Sequence, residues 1–139
     1  LAYNNTNRAN VTGDGTVYTM VYEVEVFDQN ADFDSASTFT APITGRYNLT
    51  ARTFTVGILN THTVSEYTIV TSNRSYRIWR HPYRCMDNNT QLTFILDTLA
   101  DMDAADTAYA TIYVDHGNKV VDVNAAGASW NSFSGYLAC

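Results

Sequence analysis

From Val17 onward the chain repeats one short pattern: apolar and β-branched side chains alternate with polar ones, and a turn signal closes each run. The runs are Val17 to Phe27, Thr38 to Thr40, Tyr47 to Phe54, Ser65 to Thr71, Ser75 to Trp79, Ala108 to Val114 and Lys119 to Val123. Alternation at period two sends successive side chains to opposite faces, so each run has one oily side and one wet side. Strands of this kind bury the oily side against a second sheet. A series of them with turns between predicts an all-β fold, an antiparallel jelly-roll sandwich. Gly13, Asp14 and Gly15 mark one turn, Pro42 stops the strand before it, and His81 with Pro82 and Tyr83 breaks another. Asp115, His116, Gly117 and Asn118 form a hairpin signal that predicts direct pairing of the flanking runs. Residues 1–12 are polar and Asn-rich and read as a tail or linker, leaving 13–139 as one head domain.

Two segments are less direct. Leu92, Ile95, Leu96, Leu99 and Met102 fall at helical spacing, and no helix breaker lies between Thr90 and Ala104. The surrounding β pattern decides for a strand over Leu92 to Leu99. The closing run, Phe133 to Cys139, is apolar on both sides: Phe133, Gly135, Leu137 and Cys139 share one face, and Ser134, Tyr136 and Ala138 the other. One face meets the sandwich interior; a partner subunit is the natural cover for the second. Gly135 inside the run predicts close approach by another backbone or a large ring.

With 139 residues and 45% hydrophobic content the chain is one domain able to bury a core without staples. Charged residues make up only 16%, against about 25% in an ordinary globular protein, so Asn, Thr and Ser carry the surface polarity. A net charge of −6 argues against a nucleic-acid backbone as partner. No apolar run is long enough for a membrane-spanning helix, and membrane insertion is not expected. Cys85 and Cys139 are too few for a disulfide framework and read as free thiols.

Phe39, Pro42, Gly45, Tyr47 and Leu49 together resemble the signature of the complement C1q globular head, a relative of tumour necrosis factor. Leu49 stands where that family usually has Phe. The Phe27–Asp28 and Phe33–Asp34 pairs resemble the family's leader, the segment from Asp101 to Asp106 its turn into the next strand, and Ser132 to Leu137 its terminal strand. The resemblance spans about Val17 to the last residue. It implies a jelly roll of about eight to ten strands that assembles as a homotrimer at the end of a fibrous stalk and acts by recognition. On that implication Phe133, Leu137, Cys139 and Ile95 face the trimer interface, while Phe39, Tyr47, Leu49 and Tyr136 fill the core. Phe133→Asp is then expected to block assembly, and a change at Asn118 to be harmless. The Asn/Thr-rich composition and the Gly13–Tyr18 opening favour a bacteriophage virion protein, assembled in the bacterial cytoplasm as a fibre, spike or tail-needle head. A secreted, extracellular complement-like head is the alternative, and a jelly-roll glycosidase or lyase a third.

Catalytic and metal-binding patterns are weak. Asp101 and Asp103, with Asp106, are clustered carboxylates of the type hard cations favour, but a solvated loop is the simpler reading. Asp28, Asp32 and Asp34 read the same way. His62, His81 and His116 lie at no ligand spacing, and no serine sits in a nucleophile elbow. No cofactor and no catalysis are expected. The Arg77, Trp79, Arg80, Tyr83 cluster, in a stretch holding half of the eight basic residues, has the arginine-aromatic character of a ligand surface. A host-surface glycan or protein is the ligand class it suggests.

Overall fold

The computed structural model describes residues 1–85, 91–125, 127 and 129–138. In chain order they form β1 (Ala2–Tyr3), β2 (Arg8–Thr12), β3 (Val17–Thr19), β4 (Val24–Glu25), β5 (Phe39–Thr40), β6 (Gly45–Val56), β7 (Val64–Thr71), β8 (Ser75–Arg80), the helical turn α1 (Pro82–Cys85), β9 (Leu92–Met102), β10 (Thr107–Asp115), β11 (Val121–Val123) and β12 (Ser132–Leu137). Two antiparallel sheets make a jelly-roll sandwich. In the first, β9 pairs with β6 along one edge, while β12 and β11 lie end to end along the other. Strands β1 and β4 extend the sheet beyond β12, and β2 extends it beyond β11. The second sheet runs β3, β10, β7, β8, with β5 on a separate stretch of β10.

Alternation explains the core. Tyr47, Leu49, Ala51 and Thr53 of β6 all point inward and are buried. Facing them from the second sheet are Tyr67 and Ile69 of β7 and Ala108, Ala110, Ile112 and Val114 of β10, each at 0% exposure. Rings bridge the layers: Tyr67 lies 5.8 Å from Phe94, and Tyr22 stacks on Phe133 at 5.8 Å. The Tyr22 and Tyr67 hydroxyls meet at 3.0 Å, so each buried phenol has the other as partner. Burial from water pushes both phenols far above the usual tyrosine range.

The strand β9 is extended throughout, which resolves the helical spacing of its leucines. Phe94, Leu96, Ala100 and Met102 are buried, whereas Ile95 and Leu99 point away from the core. The spacing arises because outward positions also carry apolar residues.

Strand β12 inverts the expected assignment of its faces. Its register sets Phe133 beside Ala51, Gly135 beside Leu49 and Leu137 beside Tyr47. Those β6 residues face the core, so Phe133 does as well and is 2% exposed within a single chain. Tyr136, expected inside, is 64% exposed on the outer side. Both faces of the run are apolar, so alternation alone could not orient it; the bulk of its neighbours does. Small residues sit opposite large ones across the pair. A Cβ on Gly135 would lie 2.9 Å from Leu49 Cδ2, so the close approach there is by an aliphatic side chain. Cys139 lies outside the described residues.

Three other expectations are corrected. The first twelve residues are structural: β1 inserts between β12 and β4, and Ala2, Asn4, Val11 and Thr12 are buried. The alternating run from Val17 divides, with β3 in the second sheet and β4 in the first, because the chain crosses the sandwich through buried Met20 and Tyr22. The turn after Asp115 is a corner between sheets, since β10 belongs to one sheet and β11 to the other. His116 adopts φ 71° there, and Gly117 N–H donates to the Gly13 carbonyl at 3.1 Å. The same turn chemistry serves a hairpin and a corner.

Asn131 bridges the gap between β11 and β12. Its buried Oδ1 accepts from Phe54 N–H at 2.8 Å and from Thr53 Oγ1 at 3.0 Å, while Nδ2 donates to the Asn124 carbonyl. The side chain thus replaces the ladder bonds that the break removes.

Phe133→Asp should therefore unfold the domain. Truncating a buried Phe costs about 3–5 kcal/mol, an unpaired buried carboxylate adds to that, and a whole domain is stable by about 5–15 kcal/mol. Urea denaturation followed by circular dichroism measures the loss; a well-folded, dissociated variant would return Phe133 to an interface.

Candidate functional site

Three surface features are chemically distinct. The first is an aromatic edge. On β8, Tyr76 and Ile78 turn inward beside Ile69 and Tyr67, so Arg77 and Trp79 point outward. Trp79 is 52% exposed and meets His81 edge-on at 4.0 Å. His81 in turn meets Tyr83 at 5.7 Å, and the Arg84 guanidinium lies 5.3 Å from the Tyr83 ring. His81 is anchored by its Nδ1, which donates to the Thr63 carbonyl at 2.8 Å. Arg77 reaches Glu66 at 3.4 Å. Arg80 is exposed but follows Trp79 by one residue, and alternation turns it to the opposite side of the strand. Arg77 and Trp79 therefore share one face and Arg80 does not.

The second feature is the outer face of the first sheet. Leu99, Asn48 and Tyr136 form one cross-strand row on β9, β6 and β12, and Ile95, Arg52 and Ser132 form another. Ile95 and Leu99 are 51% and 54% exposed. Leu137 lies on the inner side of β12 at its open end and is partly exposed.

The third is a cavity of about 440 Å³ at one end of the sandwich, between the loop after β4, the turn before β6 and the end of β12. Phe39 and Tyr47, whose rings are 5.5 Å apart, are part of its wall. Its lining comes from four separate parts of the chain, so no local sequence signal marks it.

The acidic loops bind their own backbone. Asp34 Oδ1 accepts from the N–H groups of Ala36, Ser37 and Thr38 at 2.8–2.9 Å. Partial burial pushes the Asp34 carboxyl up, but these bonds outweigh it and hold the group below the usual range. Asp28 is held down in the same way, against burial, by bonds that include Phe33 N–H at 2.9 Å. Asp106 Oδ2 accepts from Asp103 N–H and from Asn73 Nδ2, at 2.8 and 2.9 Å. Asp103 Oδ1 accepts from Thr44 Oγ1 at 3.4 Å, and Asp101 sits on the outward face opposite Arg46. Among the described residues no three His, Cys, Asp or Glu side chains converge on a point that would hold a metal.

One arrangement superficially resembles a catalytic triad. His116 Nδ1 lies 2.8 Å from Thr63 Oγ1 and 3.9 Å from Asp115. Both contacts use the same ring nitrogen, whereas a triad needs its nucleophile and carboxylate on opposite nitrogens. His62 is fully buried and structural: Nδ1 accepts from Leu59 N–H at 2.9 Å, and Nε2 donates to the Asn118 carbonyl at 3.2 Å.

No family model and no curated protein matches the sequence. Solved structures do match. The globular domain of a zebrafish complement 1qA protein aligns over 96% of this chain and 95% of its own, with a TM-score of 0.59 at 12% identity. The chain therefore has the complement C1q-type jelly roll, and at that identity the likeness is one of fold.

The loop carboxylates give a pH prediction. A carboxyl whose pKa is depressed on folding stabilises the folded loop above the unfolded value of about 3.9, and the contribution is lost as pH falls through the lower folded value. The protection factors of the Ala36, Ser37 and Thr38 amides should therefore fall below about pH 4, ahead of those in β6. Asp34→Ala should show the faster exchange already at neutral pH. Equal protection in the variant and the unmodified chain would show that these bonds do not hold the loop.

Proposed function

We propose that this domain is a non-catalytic recognition head that works as a homotrimer, its copies meeting over the outer face of the first sheet. The observation that carries the reading is the joint exposure of Ile95, Leu99 and Tyr136 on that one sheet face. Covering an isolated large side chain is worth about 1.5–3 kcal/mol, and repetition around a closed axis multiplies it. The C1q-type fold supports the same reading, because it presents broad sheet faces and loops. The head sits on the fibrous stalk of a virion, as a fibre, spike or tail-needle tip, a placement supported by the Asn- and Thr-rich, charge-poor composition.

Host contact is assigned to the outward aromatic edge, where Trp79 offers a half-exposed ring beside Arg77. A sugar face stacks on such a ring, and the arginine supplies planar donors. Trp79→Ala should abolish retention on host-surface glycans while leaving assembly intact.

Multi-angle light scattering tests the assembly. The unmodified chain should run at three times its 15.5 kDa mass at micromolar concentration. Leu99→Asp should run as a folded monomer, and Val17→Asp, on the outer face of the opposite sheet, should remain trimeric. A monomeric unmodified chain overturns the reading.

A further inference from the structure

The cavity at the end of the sandwich has a size usual for small-molecule sites. Phe33, Phe39, Tyr47 and Phe133 form its aromatic wall, and Phe27 and Ile43, at 61% and 53% exposure, stand at its mouth. Asp28 and Asp32 lie beside them. Among the described residues no Lys, Arg or His side chain lines the space; the cation there is the Leu1 α-ammonium, which donates to the Phe27 carbonyl at 2.9 Å and feels the Asp28 charge, leaving Asp32 without an ion pair.

We propose that this cavity binds a small organic cation, an alkylated ammonium with an apolar or aromatic body. The body rests against the rings, whose π faces attract positive charge, and the ammonium faces Asp28 and Asp32. The Asp28 carboxylate is placed before any ligand arrives, its Oδ2 accepting from Phe33 N–H at 2.9 Å, and the backbone that carries Asp32 is held by the bond from Thr40 N–H to the Asp32 main-chain carbonyl at 2.7 Å. The wall offers an anion little: the Tyr47 hydroxyl is already committed to the Ile43 carbonyl at 2.7 Å. The chain's net charge of −6 favours the approach of a cation further. The lining belongs to one chain, and Tyr136, which also lies on the proposed trimer face, is part of it.

The test is an amide NMR titration of the full chain with benzyltrimethylammonium, benzyl alcohol and benzenesulfonate. The cation should produce saturable shifts at Asn30, Phe33 and Ile43, with affinity about tenfold above the neutral alcohol, and the sulfonate should produce none. Asp32→Asn should weaken the cation several-fold, and Ile43→Trp, which fills the mouth, should remove the shifts while leaving the rest of the spectrum in place. Equal affinity for cation and alcohol overturns the proposal, as does unchanged affinity in Asp32→Asn. If instead the same amides ignore every probe and move on dilution, a second copy occupies the cavity and the proposal also fails.

Discussion

The structure depends on β6 being paired along both edges. Its twelve residues carry β9 on one side and the end-to-end pair of β11 and β12 on the other. Every inward side chain of the first sheet is placed by that register. The fit is steric: Ala51 leaves room for Phe133, and Gly135 leaves room for Leu49. Shifting β12 by one residue would turn Phe133 out to water and drive Tyr136 into a layer already filled by Tyr47 and Leu49. Where the pairing lapses, Asn131 supplies backbone-like donors and acceptors from its side chain.

The outer surfaces follow from the same alternation. Because β6 is central, its outward Arg46, Asn48, Thr50 and Arg52 lie in the middle of a broad sheet, flanked by β9 and β12. Ile95, Leu99 and Tyr136 are apolar at positions where solvent alone would favour polar side chains. At the other sheet, β8 is an edge strand whose outward residues, Arg77 and Trp79, border the 81–84 segment. Under the proposed function, self-association and ligand contact use different sheets, and a substitution in one need not disturb the other.

The middle of the fold was legible in the sequence because Tyr47 to Phe54, Ser65 to Thr71 and Ala108 to Val114 each have one apolar face. Their alternation, together with the turn signals, is enough to define a sandwich. Two features escaped for physical reasons. In Phe133 to Leu137 both faces are apolar, so the inward one is chosen by the volumes of Ala51 and Leu49, which lie far away in sequence. Residues 1–12 look like a tail because their strands are held largely by backbone bonds and by buried Asn4 and Thr12, polar residues whose partners lie elsewhere in the chain. The aromatic edge was visible as a cluster, and alternation already separates Arg80 from Trp79, but that Arg77 and Trp79 are the outward pair needs the β7–β8 register. The cavity has no local signature, since Phe27, Ile43, Tyr47 and Phe133 meet only once the sheet has formed.

The slot between β6 and β1 has a consequence for folding. That slot is filled by β12, and β1, with β4 beyond it, joins the sheet only through it, at Ala2 beside Phe133. Before β12 docks, one edge of β6 is open along Tyr47 and Leu49, and β1 is paired with β4 alone. The final pairing closes nearly the longest loop the chain allows, and contacts of that separation form slowly. The domain is complete only when β12 has docked. Until then it displays an open strand edge beside apolar side chains, the features that draw unfinished chains together.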